Sequence, residues 1–442
     1  MSPVKVAFVT PGAYPIPSGN SSSVERVVEK FVPLLRPSVE PRIYGKIGRN
    51  LPRRSMVNDV VCERFHTAKR SAYVANVGHA LKKFGPQIIQ VENRPTYLLK
   101  LKRSNPKAKI WLNLHSSTYI SPRHISDTQL RKSFALADRI IVNSEFLRTL
   151  VLEKVPEARM KIRVVYPGVE TRRFQSRYTA EGEAARRHHR ERKGLAHRKV
   201  VMFLGRLIPL KGVHHLLSIV PRLIKVHPDL LVVIVGSPFY GSHRTTAYSR
   251  KLIKMGERYK KHVRFVPYVP YSEVPGWFMA ADISVMPSGK REAFGLVNVE
   301  AMATGLPVIA TRAGGMQEII QHGETGYLIN QKEIKAELTE KLLLLLHNAA
   351  LRRQMGIKSR QRVEQLFTWE HTAKRWLKIQ RNEVDLKFRD DPEQFDEQIY
   401  MEPPPVPDLN QGIAYEDEQV ISYDMGFINL EHLKATSQKD GG

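Results

Sequence analysis

Two successive stretches of apolar runs alternating with helical patterns predict an α/β protein: two Rossmann-like domains facing one another across a cleft, then an acidic C-terminal tail. Three observations carry this reading. Short apolar runs suited to buried parallel strands recur at residues 4–10, 88–91, 110–114, 139–143 and 162–166, and again at 200–204, 231–235, 263–266, 283–286 and 308–310. Between the two series, residues 171–199 lose the apolar periodicity and carry Arg172, Arg173, Arg186, Arg187, Arg190 and Arg192. The length, 442 residues, suffices for two packed cores. The expected units are an N-terminal domain over 1–175, a basic connection over 176–197, a second domain over 198–367, a crossover helix over 368–382 and the tail over 383–442.

In the first domain, the strand at 4–10 runs into a Pro/Gly loop containing Gly19 and then a helix from about Ser23, with Ser22 and Glu25 at capping-box spacing. A Gly19 loop feeding a helix N-terminus can admit a phosphate or sugar close to the backbone, although such a loop is also a common plain turn. Residues 62–84 read as one basic amphipathic helix, with Phe65, Tyr73, Val77 and Leu81 among Arg64, Lys69, Arg70, Lys82 and Lys83. That pattern suits an anionic bilayer surface or a solvated helix with one core face. The ligand edge of a parallel sheet lies beyond its C-terminal strand ends, where His115, Asn143, Ser144 and the Pro167-Gly168-Val169 turn fall. His115 is open to a structural or a chemical reading.

The Arg-rich connection reads as exposed, with 180–193 as its one helical candidate. Beyond it, Gly205-Arg206-Leu-Ile-Pro-Leu-Lys211-Gly212 closes one strand and opens a helix at Val213. Two fixed cations at such a junction can clamp a diphosphate. Further on, Glu292-Ala-Phe-Gly-Leu-Val-Asn-Val-Glu300 continues into Ala301-Met-Ala-Thr-Gly305-Leu-Pro307-Val-Ile-Ala310. Val299, Met302 and Ala303 share an apolar face, Gly305 suits a left-handed cap, and Pro307 forbids continuation, so a crossover helix runs from near Phe294 to Gly305. Glu292 and Glu300 would then lie about 12 Å apart, too far to share one bond but suited to holding two ends of an extended ligand. Between them the N–H groups around Phe294, Gly295 and Leu296 form a positive pole for a phosphate. Taken singly, Glu292 also reads as a helix-start residue and Glu300 as a solvated side chain. Residues 334–366 are helical by their leucine pattern, and a capped helix follows from Thr368 through Trp376.

The net charge of +27 is uneven: from Glu383 onward there are fifteen acidic and four basic residues, a net of −11, which leaves +38 on residues 1–382. Such a body attracts nucleotides, anionic lipid headgroups and anionic polymers. Nothing resembles a zinc-finger spacing or an RNP motif, so no nucleic acid is expected as a partner. A lone cysteine, Cys62, excludes an internal disulfide framework and a cysteine-built zinc site. No apolar run approaches the ~20 residues of a membrane span, and the first one is too short for a signal peptide, so a cytoplasmic location is expected.

The joint motif from Glu292 to Ala310 resembles the signature of the retaining glycosyltransferases of family 4, and the resemblance spans about residues 4–380. It implies the glycosyltransferase B fold and transfer of a sugar from a nucleotide diphosphate sugar to a hydroxyl, with a UDP-sugar favoured and a GDP-sugar next. By the resemblance Arg206 and Lys211 hold the donor pyrophosphate, Glu300 the ribose and Glu292 the transferred sugar. The base rests near Tyr268 and Val269, His115 serves on the acceptor side, and the Gly19 loop faces sugar and acceptor. Residues 1–382 contain Asp59, Asp127, Asp138, Asp229 and Asp282 as their only aspartates, hence no Asp-x-Asp metal pair. Metal-independent chemistry without a cofactor is therefore expected. The runs Gln90-Val-Glu-Asn-Arg-Pro95 and Asn113-Leu-His-Ser116 resemble glycosyltransferase-like proteins of the bacterial spore coat. They point to cell-surface or spore-envelope glycan synthesis, with a sugar, lipid-linked or polymer acceptor and contact with an anionic membrane or coat. A purely structural coat protein and a nucleotide-sugar epimerase are the alternative readings.

Overall fold

The computed structural model describes residues 3–17, 23–67, 69–239 and 244–385. The first half contains β1 (Val4–Val9), α1 (Ser23–Phe31), β2 (Val39–Lys46), β3 (Arg54–Val57), β4 (Val60–Phe65), α2 (Arg70–Phe84), β5 (Ile88–Glu92), α3 (Leu98–Ser104), β6 (Lys109–Leu114), α4 (Asp127–Leu136), β7 (Arg139–Val142), α5 (Glu145–Lys154) and β8 (Ile162–Val164). Its eight strands lie in the order β3-β4-β2-β1-β5-β6-β7-β8, parallel throughout except for the β3–β4 hairpin. Helix α6 (Ala180–Arg192) leads into the second half.

That half comprises β9 (Lys199–Leu204), α7 (Val213–Val226), β10 (Leu230–Val235), α8 (Ala247–Glu257), β11 (Val263–Val266), α9 (Val274–Ala280), β12 (Ile283–Met286), α10 (Leu296–Ala303), β13 (Val308–Thr311), α11 (Met316–Ile319), β14 (Gly326–Ile329), α12 (Ile334–His347) and α13 (Ala349–Leu366). Its six strands run parallel in the order β11-β10-β9-β12-β13-β14. Each sheet has helices on both faces, so strands such as Leu230–Val235 are buried along their whole length and are continuously apolar.

The last described helix, α14 (Trp369–Asp385), packs on α1 of the first half. Trp376 is buried there against Phe8 and Trp111, with ring centroids 5.7 and 5.3 Å away. Among the described residues no helix is long and apolar enough to cross a membrane.

Two sequence readings need correction. Residues 62–84 are not one helix: Val60–Phe65 form a strand, and the helix begins at Arg70. Arg64 is buried rather than on a basic face, because its guanidinium is satisfied by the carbonyl of Ile16 at 2.7 Å and that of Pro52 at 2.9 Å. The Arg-rich connection is not simply exposed either. Helix α6 packs on α9, where Arg186 pairs with Asp282 at 2.6 Å and Arg190 with the same carboxylate at 3.3 Å. Arg177 is buried and donates to the carbonyls of Phe278 at 2.6 Å and Ala281 at 2.7 Å. These arginines satisfy the orphan carbonyls at the end of α9, so arginine content alone does not mark an exposed linker. Gly19, Ser22 and the tail beyond Asp385 lie outside the described residues.

Candidate active site

The sequence-selected residues of the second half gather at the C-terminal ends of its strands. Arg206 and Lys211 leave β9, Tyr268 and Val269 follow β11, and Glu292 to Gly295 lie between β12 and α10, which Leu296 opens. The turn at Lys211 ends on Gly212, whose φ is +66° and where a Cβ would lie 1.8 Å from the Pro287 carbonyl oxygen. Only glycine lets the two loops approach this closely. As a result the Lys211 ammonium pairs with the Glu292 carboxylate, each side chain about five-sixths buried (15% and 16% exposed). By the resemblance these two hold the pyrophosphate and the transferred sugar of one ligand, and the fold brings them into direct contact.

Helix α10 begins after Gly295, which adopts φ +91° and so turns the chain sharply into the first turn. The N–H groups of Phe294, Gly295 and Leu296 have no hydrogen-bond partner among the described residues and crown the positive end of the helix. One turn further in, Asn298 is buried with neither amide atom bonded.

Glu300 is not a solvated side chain: it is buried, and it faces the first half of the molecule. Arg26 Nη1 of α1 lies 3.3 Å from Glu300 Oε1, the Tyr271 hydroxyl bonds the same carboxylate, and the Arg26 guanidinium stacks 3.5 Å over the Tyr271 ring. Burial raises the Glu300 pKa, with Arg26, the Tyr271 hydroxyl and Arg173 opposing it. Arg26 and Tyr271 carry no signal in the sequence that periodicity could reveal, since the Arg26–Glu300 pair spans 274 residues.

From the first half, His115 follows β6 and Asn143-Ser144 follow β7. Asn143 Nδ2 donates to the His115 carbonyl at 3.1 Å, and Ser144 Oγ donates to the Ala293 carbonyl at 2.6 Å. These contacts connect the His115 strand end directly to the Glu292–Phe294 loop. Phe294 stacks on Tyr166 of the first half at 5.9 Å. A further carboxylate, Glu318 of α11, accepts the N–H groups of Glu145 at 2.8 Å and Phe146 at 2.9 Å at the start of α5. Burial pushes its pKa up to about 7 against those bonds. The structure thus brings Lys211 and Glu292 together ahead of α10, sets Glu300 and Phe294 against the first half with His115 linked to the same loop, and leaves Arg206 at the end of β9 on the same sheet edge. Tyr268 and Val269 stand further along the same sheet edge.

A family model described as Glycosyltransferase Family 4 matches residues 24–173, and one described as Glycosyl transferases group 1 matches residues 185–362. Over 376 residues the chain is 31% identical to spore coat protein SA of Bacillus subtilis, covering 85% of this chain and 99% of that one. The chain is a family 4 glycosyltransferase. This glycosyltransferase is also 29% identical to the putative glycosyltransferase YtcC of Bacillus subtilis, over 89% of its own length and 95% of the relative's. Its fold is shared by Anabaena Alr3699/HepE, solved in complex with UDP-glucose, at a TM-score of 0.68 and 22% identity over 86% and 99% of the two chains. The first family match ends at residue 173 and the second begins at 185, within α6, so the boundary between them falls in the connection between the two sheets.

Proposed function

We propose that this glycosyltransferase moves a sugar from a nucleotide diphosphate sugar, a UDP-sugar in first place and a GDP-sugar next, to a hydroxyl acceptor, with retention and without a metal. The observation that carries the reading is the Lys211–Glu292 pair and the unbonded N–H groups at the start of α10, on the sheet edge where Arg206 leaves β9. Cleavage of the anomeric bond leaves negative charge on the diphosphate and positive charge on the ring. Stabilising the leaving group therefore matters more than a strong base. Donor binding exchanges one set of partners for another: Lys211 turns from Glu292 to phosphate, Arg206 adds a second cation, and the released Glu292 carboxylate accepts a sugar hydroxyl. Glu300 takes the ribose hydroxyls, and the base lies against Tyr268 and Val269. No carboxylate is required as a nucleophile, because the departing phosphate oxygen accepts the acceptor's proton on the same face. The UDP-glucose bound by HepE supports uridine as the base to try first.

The acceptor reading rests on charge. Between residues 66 and 108 the sole acidic residue is the buried Glu92, while Lys69, Arg70, Lys82, Lys83, Lys100, Arg103 and Lys107 are exposed on and around α2 and α3. That face suits a lipid-linked or polymeric anionic acceptor and peripheral attachment to an anionic membrane from the cytoplasm. Incubation of the protein with labelled UDP- and GDP-sugars in the presence of chelator, followed by NMR of the product anomer, tests the reaction. Inverted product or strict metal dependence would remove the mechanism. A coat component that binds donor without turning it over is the second reading, favoured by the full-length likeness to spore coat protein SA. Tight nucleotide-sugar binding with no transfer and no hydrolysis would support it.

A further inference from the structure

Strand β5 is buried along its whole length, yet Gln90 and Glu92 on one face of it are polar and fully shielded. Their side chains form a directed chain of hydrogen bonds. Trp376 Nε1 donates to Gln90 Oε1 at 2.7 Å, Gln90 Nε2 donates to Glu92 Oε1 at 2.7 Å, and Glu92 Oε2 lies 2.6 Å from His115 Nε2. The direction is set at its start, because an indole N–H only donates. The Gln90 oxygen must accept, its nitrogen must therefore face Glu92, and the Glu92 carboxylate receives both Gln90 and the Nε2–H of His115. The His115 backbone is held as well: its N–H donates to Asn93 Oδ1 at 3.2 Å, and its carbonyl accepts from Asn143 at 3.1 Å. The other ring nitrogen, Nδ1, has no hydrogen-bond partner among the described residues.

We infer that Glu92 is a positioning residue, which fixes His115 as its Nε2–H tautomer and so reserves Nδ1 as an acceptor for a sugar hydroxyl, with Gln90 and Trp376 holding Glu92 in place. This rests on the reading of His115 as a site residue. A buried carboxylate is a poor way to stabilise a strand, since desolvation offsets much of what its partners return. Its specific product is an imidazole with one orientation and one free lone pair. Because Trp376 belongs to α14, the helix that returns to the first half from the second, the same chain makes the ring's orientation depend on that helix being docked.

The test is nitrogen-15 NMR of the histidine-labelled full chain at neutral pH, with His115→Ala used to assign the resonance. The inference expects Nε2 protonated and Nδ1 bare in the wild type, and a mixture of tautomers in Glu92→Gln and in the milder Trp376→Phe. An Nδ1–H tautomer in the wild type overturns it, whatever the variants do. With UDP-glucose hydrolysis as the kinetic readout, Glu92→Gln is expected to lower kcat on the order of tenfold or more, with the KM for UDP-glucose and the affinity for UDP within about twofold of wild type. Wild-type kcat in Glu92→Gln while His115→Ala is impaired overturns the positioning role alone. Wild-type kcat in His115→Ala overturns the reading of His115 on which it rests.

Discussion

Replacing Glu318 with glutamine should change how the stability of this protein responds to pH. Glu318 is 8% exposed and caps the first turn of α5 across the junction of the halves. Burial raises its pKa from 4.5 to about 7, with the Glu145 carboxylate adding to the rise and the Glu145 and Phe146 N–H groups and the Tyr166 hydroxyl opposing it. A shift of that size corresponds to about 3 kcal/mol. For an acid whose folded pKa is raised, the folded state holds the extra proton between pH 4.5 and about 7. Its stabilising contribution is therefore largest at the acid end and is lost as pH rises through that window. Glutamine does not titrate, and with one acceptor oxygen it gives up one backbone bond, a loss of about 1 kcal/mol. Glu318→Gln should accordingly melt below wild type at pH 5, and the gap should close or reverse by pH 8. Scanning calorimetry of both proteins at unit pH steps reads this directly. A melting-temperature difference that stays constant from pH 5 to 8 would refute the argument, as would one that widens with pH.

Other consequences are more local. Lys211→Ala should lose UDP-glucose hydrolysis on the order of 100-fold or more while the protein stays folded, since the lysine's partner is Glu292 at the site and not a group of the core. Glu300→Ala should likewise abolish donor turnover in a folded protein, measured by the same assay and circular dichroism. Arg26→Ala removes a charge that holds down the raised Glu300 pKa, so its affinity for UDP by calorimetry should weaken more steeply than wild type as the pH falls. Asp282→Asn should destabilise by about 3–5 kcal/mol, because it leaves the partly buried Arg186 and Arg190 without their shared carboxylate. Charge pairing with those arginines outweighs burial and holds the Asp282 pKa below its usual value, so in wild type this support is present at neutral pH and falls away in acid.

The parallel cores were legible because strands buried on both faces leave unbroken apolar runs, as at Leu230–Val235. Strands β2 to β4, on one side of the first sheet, were not, because Glu40, Arg42, Glu63 and Arg64 interrupt the apolar pattern, and a buried arginine looks like a basic surface until its carbonyl partners are known. The donor side of the site was legible for a related reason. Gly295, Gly305 and Pro307 fix where α10 starts and stops, which puts Glu292 just ahead of the helix and Glu300 within it. The contacts that join the halves escaped, since Arg26–Glu300 and Ser144–Ala293 depend on how two sheets dock and not on any local pattern. Glu92 left a signal that went unused: a carboxylate in a strand otherwise suited to full burial requires a partner.

The central claim is that Arg206 and Lys211 hold a nucleotide diphosphate, and thermal shift with UDP and GDP on wild type, Arg206→Ala and Lys211→Ala tests it most directly. Binding at about 100 times Kd contributes about 2.7 kcal/mol, enough to move the melting temperature by a few degrees. The account expects at least one of the two nucleotides to stabilise wild type and to leave both variants nearly unmoved at the same concentration. Equal shifts in all three proteins, or none in wild type with either nucleotide, would contradict it.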